Sequence, residues 1–175
     1  MKRMDFVCCL LLMLGGLSAA EVKNGEMVRN GDFENGLENW TVKGVGSVDR
    51  TVSSSGKASL CISLTKPTWQ RVFQQIEVEP STEYQVEYYV KCENVKPQEK
   101  ARYAGAASWI SMKKYLPHQG SGGPWKLDTA DGDWKKVSYK FKTGPEDKTI
   151  SIQFQLCNAS GKIWIDQVSV TPVKK

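Results

Sequence analysis

One histidine, His118, serves the whole 175-residue chain, and that scarcity removes two kinds of chemistry. Zinc centres are assembled from clusters of histidine and cysteine, and no such cluster exists here. A serine triad needs a base histidine oriented by a separate carboxylate. The stretch "HQGSGGPWKLD" (118–128) sets Ser121 three positions after His118, but no carboxylate lies close by in sequence to orient that imidazole. Gln119 also stands where a nucleophile elbow has its first glycine. The stretch therefore reads as a glycine-rich loop that carries the ring of Trp125.

Long apolar runs are equally scarce. The longest, "FVCCLLLMLGGL", has 12 residues, against the roughly 20 that cross a bilayer. It follows Lys2 and Arg3 and ends at Ser18-Ala19-Ala20, the order of a cleaved secretory leader. The expectation is a leader over 1–20, a single domain over 21–175, and no membrane insertion after cleavage. The destination is then outside the cytoplasm: secreted, periplasmic or at the cell surface. Removal of the leader leaves 22 basic and 18 acidic residues. These are interspersed, without the basic stripe that nucleic acid binding requires. Three cysteines remain, Cys61, Cys92 and Cys157; one disulfide with a free thiol and three buried thiols are both open.

Helical periodicity is missing beyond the leader, and alternation with a period of two takes its place. Leu60, Ile62 and Leu64 form one apolar row, Tyr84, Val86, Tyr88 and Val90 another, and Val137, Tyr139 and Phe141 a third. Ile150, Ile152, Phe154 and Leu156 form a fourth. In "GKIWIDQVSV" the row begins as Ile163 and Ile165 and continues as Val168 and Val170, so the phase slips near Asp166 and Gln167, as at a bulge. Turn signals such as "NG", "SSSG" and "TGPED" separate these stretches. The pattern predicts an all-β fold, a jelly-roll β-sandwich of two antiparallel sheets. Hydrolysis of a glycosidic bond would need two facing carboxylates, and no pair is marked. Asp131, Asp133, Glu146 and Asp147 read as surface charges.

Four stretches, "VRNGDFENGLENW" (28–40), "VEPSTEYQVEYYVK" (78–91), "DWKKVSYKF" (133–141) and "GKIWIDQVSVTPV" (161–173), occur in an order that resembles carbohydrate-binding modules of the family 4/9 type. Those are galactose-binding-like jelly rolls found with secreted glycoside hydrolases. By its own alternation, 30–34 reads as a first strand with Asn30, Asp32 and Glu34 on one side and Phe33 in the core. The resemblance implies a structural calcium ion between this segment, the loop "SSGKAS" and the last strand. Its ligands would be Glu34 and Asp166, with carbonyls near Asp32 and Ala58 completing the six to eight oxygens calcium takes. Ser55 stands where some relatives have a carboxylate.

All six tryptophans follow the leader. Trp40, Trp134 and Trp164 lie in the matching stretches and read as packing residues. Trp69 opens "WQRVFQQIEVE", whose alternation places Trp69, Arg71, Phe73 and Gln75 on one side and Val72, Ile76 and Val78 toward the core. Trp109 closes "ARYAGAASWIS", whose small residues leave room for a groove floor. Gln153 and Gln155 face away from the Ile150–Leu156 row, as rim donors to a ligand, and the 118–125 loop brings Trp125 and Tyr115 to the same place. Flat rings stack on sugar C–H faces while amides bind the hydroxyls. The resemblance therefore implies a non-catalytic module for a polysaccharide or oligosaccharide; with no catalytic stretch read beside it, the expectation is capture of glycan at a cell surface or service to a separately encoded glycoside hydrolase. The competing readings are a hydrolase acting on glycans and an adhesion subunit contacting protein. Burial of Trp69, Trp109 and Trp125 together under a flat surface would mark the last.

Overall fold

The computed structural model describes residues 25–101, 103–112, 127 and 131–174. The leader, Tyr115, His118, Ser121 and Trp125 lie outside the described residues. The strands, in chain order, are β1 (Thr41–Lys43), β2 (Ser47–Asp49), β3 (Ser59–Glu77), β4 (Glu83–Pro97), β5 (Gly105–Ser111), β6 (Lys135–Lys142) and β7 (Thr149–Pro172). Every pairing among them is antiparallel.

All seven belong to one ladder, which folds over into two layers because β3 and β7 each run through both. Layer one consists of β1, the second half of β3, the first half of β7, and β5. Layer two consists of β2, the first half of β3, the second half of β7, β4 and β6. The bend in β3 falls between Leu64 and Trp69, where the register shifts twice. Pro67 sits there, and a residue without an N–H suits a gap in the ladder. The bend in β7 uses Asn158 at φ 41° and Gly161 at φ 116°. A Cβ at Gly161 would come within 2.5 Å of the Asn94 carbonyl oxygen, so only glycine fits. Alternation alone suggests separate strands at 59–64 and 69–77, and at 149–156 and 161–170; the chain joins each pair into one bent strand.

The apolar rows read from the sequence face one another across the layers. Ile150, Ile152, Phe154 and Leu156 of β7 are buried, as are Leu60, Ile62, Tyr84, Val86, Tyr88 and Val90. Phe154 meets Tyr88 of the opposite layer edge-on, centroids 5.0 Å apart, and Trp40 packs against both Phe154 and Phe33. The phase slip is a bulge: Gln167 and Val168 together oppose Tyr88 alone, and Gln167 has φ 53°. Trp40 and Trp164 are buried as packing residues, and Trp134 is half-buried.

Two expectations are corrected. Residues 30–39 form turns, not a strand. Asn30 is left-handed, and its side chain accepts from Asn35 N and donates to the Gly36 and Glu38 carbonyls. Those bonds draw the backbone into a loop that still delivers Phe33 to the core. Asp147 is not a surface charge: it is 4% exposed, and its Oδ2 accepts from Gly144 N at 2.7 Å to close a turn.

The three described cysteines are buried, and no disulfide joins them to one another. Cys92 points into the core from layer two, Cys61 lies on that layer's outer side, and Cys157 lies on the outer side of layer one.

Candidate functional site

Layer one buries one side of each strand and turns the other outward. Inward go Val72, Gln74 and Ile76 of β3, the Ile150–Leu156 row of β7, and Ala106, Ser108 and Ile110 of β5. The cross-strand register then orders the outward side chains into rows. Trp69, Cys157 and Gly105 form the first; Lys43, Arg71, Gln155 and Ala107 the second. Thr41, Phe73, Gln153 and Trp109 form the third, and Gln75, Ser151 and Ser111 the fourth. Six of the eight residues assigned to a ligand from sequence, Trp69, Phe73, Gln75, Trp109, Gln153 and Gln155, thus share one face. The other two, Tyr115 and Trp125, lie outside the described residues.

Trp69 is 47% exposed, and its indole N–H donates to Gln155 Oε1 at 2.9 Å. That bond fixes the ring against the sheet with one face free. Gln153 and Gln155 do face away from the apolar row, but they are no rim. β7 is flanked by β3 and β5, and the two amides are 7% and 1% exposed. They form the floor. Gln153 Oε1 is buried with no hydrogen-bond partner among the described residues, which is costly unless an incoming donor meets it. Ala107 and Gly105 are buried beside them, and Trp109 is half-buried. Burial raises the Cys157 thiol to about 11, so it stays protonated and unreactive next to Trp69.

Sequence reasoning passed over two features here. Arg71 sits between the aromatic rows with its guanidinium 5.6 Å from the Phe73 centroid; its place on the Trp69–Gln75 side was visible, the want of a charged partner among the described residues was not. Tyr103, just before β5, is a second strongly exposed ring at 46%, and it precedes Gly105 of the Trp69 row. Among the described residues these four rows hold no carboxylate; the next outward position on β3 is Glu77, opposite Thr149.

The residues assigned to calcium gather around the 53–58 loop. Glu34 Oε1 accepts from Lys57 N at 2.6 Å and Ala58 N at 3.1 Å. Asp166 Oδ2 accepts from Ser54 N and Ser55 N at 2.8 and 3.1 Å, and Oδ1 from Gln167 N at 2.7 Å. Asp32 Oδ1 accepts from Glu34 N at 3.4 Å. Burial pushes the Asp166 carboxyl above its usual range, and the Ser55 and Ser54 amides pull the other way. Loop amides thus already clamp the first segment to the last strand. Among the described residues, no three acidic, histidine or cysteine side chains form a metal-holding group. Two carboxylates and loop carbonyls are nevertheless oxygens of the type calcium takes.

The family model described as "Carbohydrate binding domain" (CBM 4/9) matches residues 25–161. The chain belongs to this family. The domain is 24% identical over 157 residues to Exochitinase 1 of Streptomyces olivaceoviridis, a match that covers 87% of this chain and 23% of the exochitinase. It therefore spans under a quarter of that relative's length. Among solved structures, a family 61 module in complex with β-1,4-galactotriose superposes with a TM-score of 0.61 at 18% identity, covering 85% of this chain and 99% of the module. A family 16 carbohydrate-binding module gives 0.58 at 17%, covering 83% and 99%. The CBM22-1–GH10 portion of Clostridium thermocellum xylanase 10B with xylohexaose gives 0.58 at 15%, covering 85% and 29%. These likenesses establish the jelly-roll sandwich, and the family establishes a carbohydrate-binding domain.

Proposed function

We propose that the domain is a secreted, non-catalytic module that takes a polysaccharide or oligosaccharide on the outward face of layer one. The observation that carries this reading is the convergence of Trp69, Phe73, Gln75, Trp109, Gln153 and Gln155 on one face, with the Trp69 ring exposed and held by Gln155. Rings stack on the C–H faces of sugars, and the amides bind hydroxyls between them. The absence of carboxylates from these four rows speaks against a hydrolase. The exposure of Trp69 speaks against a flat protein contact. The exochitinase relative and the xylanase neighbour suggest service alongside a glycoside hydrolase.

Retention of the purified protein by insoluble and soluble polysaccharides tests the reading. Trp69→Ala should weaken binding roughly tenfold or more, in line with loss of a central aromatic anchor. Saturable binding unaffected by this change would move the site elsewhere; no binding by a folded protein would leave only the scaffold. Calcium belongs to the same proposal as a structural ion at Glu34 and Asp166. It should raise the melting temperature relative to chelator while leaving glycan affinity unchanged.

A further inference from the structure

Lys43 and Arg71 stand opposite one another on β1 and β3, and Gln155 flanks Arg71 on β7. Strands lie about 4.8 Å apart, so three adjacent side chains in one row offer N–H donors. The Gln155 oxygen accepts from Trp69, which turns its amide nitrogen, a donor, toward the rest of the row. No carboxylate pairs with Lys43 or Arg71 among the described residues; the ion pairs there, Lys136–Glu87, Lys140–Glu83 and Lys162–Glu93, all belong to layer two. Along β3 the first acidic side chain is Glu77, about 20 Å from Arg71 at the rise of an extended strand. Phe73 lies beneath the guanidinium, an arrangement that leaves its N–H edge available to a planar partner.

We infer that the ligand of this face is an acidic glycan bearing uronate carboxylates, an inference that rests on the carbohydrate-binding reading. A neutral chain would satisfy the rings and amides and leave the donor row unmatched. A uronate ring stacked on Trp69 or Phe73, two positions either side of Arg71, presents its carboxylate at the ring edge, beside the donor row. The guanidinium then receives it in a bidentate pair. One arginine and one lysine suit a chain with spaced carboxylates; a densely sulfated chain calls for a broad basic stripe.

The test compares polygalacturonate, alginate and glucuronoxylan, each with its carboxyl-reduced form, together with neutral galactan and a sulfated galactan, by calorimetry and affinity electrophoresis. At least one uronate chain should bind roughly tenfold tighter than its reduced form, the scale of a charge-assisted bond, and salt should shrink that preference. Arg71→Gln should bring the ratio of acidic-chain to reduced-chain affinity close to one. Lys43→Gln, at a fully exposed position, should reduce it about threefold, and melting curves report whether each variant folds. Arg71→Lys should keep the salt dependence and lose part of the preference. Equal binding of acidic and reduced chains would overturn the inference and leave the carbohydrate reading standing. Tighter binding of the sulfated galactan would overturn the uronate assignment. Failure to bind any chain would bring down both.

Discussion

The two outer faces of the sandwich share the bent strands β3 and β7 and treat charge in opposite ways. On layer two, lysine and glutamate meet across strands: Lys136 with Glu87 at 3.0 Å, Lys162 with Glu93 at 3.1 Å, Lys140 with Glu83 at 3.5 Å. Its tryptophan, Trp164, is 3% exposed, with its N–H on Asp49 Oδ2 and the Lys162 ammonium 5.6 Å from its ring. On layer one Trp69 is half in solvent, and among the described residues Lys43 and Arg71 have no acidic partner and the Gln153 amide oxygen has none either. The first face has its polar groups matched within the protein. The second presents cations and a buried amide oxygen that no side chain among the described residues matches.

The two tryptophans give the sharpest contrast. Trp164→Ala should destabilise the domain by about 3–5 kcal/mol, as expected for removing a buried large aromatic. Trp69→Ala should change stability by about 1 kcal/mol or less while costing binding; chemical denaturation of both variants checks this. A large stability loss at Trp69 would make it a packing residue and erase the contrast.

Asp49 supplies a pH-dependent version. The Trp164 N–H, followed by the Thr51 hydroxyl and amide, lowers its carboxyl to about 2. A depressed carboxyl contributes stability above its unfolded value near 4 and loses it as pH falls toward 2. The melting-temperature gap between the native protein and Asp49→Asn should be full at pH 6 and close between pH 4 and 2. A constant gap would remove the carboxylate from the account of why Trp164 is held. The smallest effect belongs to the ion pairs: Glu83→Ala or Lys140→Ala should cost no more than about 1 kcal/mol, given both partners' exposure, and leave glycan retention unchanged. Loss of retention there would show that layer two also binds.

Alternation made much of this legible, because period two states which side of a strand a residue occupies. It placed Trp69, Arg71, Phe73 and Gln75 together and opposed them to the core row of Val72 and Ile76. What alternation does not state is which strands are neighbours. Gln153 and Gln155 looked like a rim because their side was known and their central strand was not. Arg71 was seen on the right side, but the want of an acidic partner is a property of four rows drawn from β1, β3, β5 and β7. The turns at 30–39 were missed for a local reason. Asn30 and Phe33 both adopt positive φ, and the Asn30 amide that organises them reads equally well as an edge residue.

The bent strands β3 and β7 carry a consequence for how the domain comes apart. Each contributes hydrogen bonds to both layers, so neither layer can open while the other keeps its ladder intact. Amide exchange should therefore show one shared protection level across 69–77 and 150–157 on one side and 60–64 and 161–170 on the other. Such shared protection would make the sandwich one unfolding unit, and a ligand held on one face would then slow fraying on both.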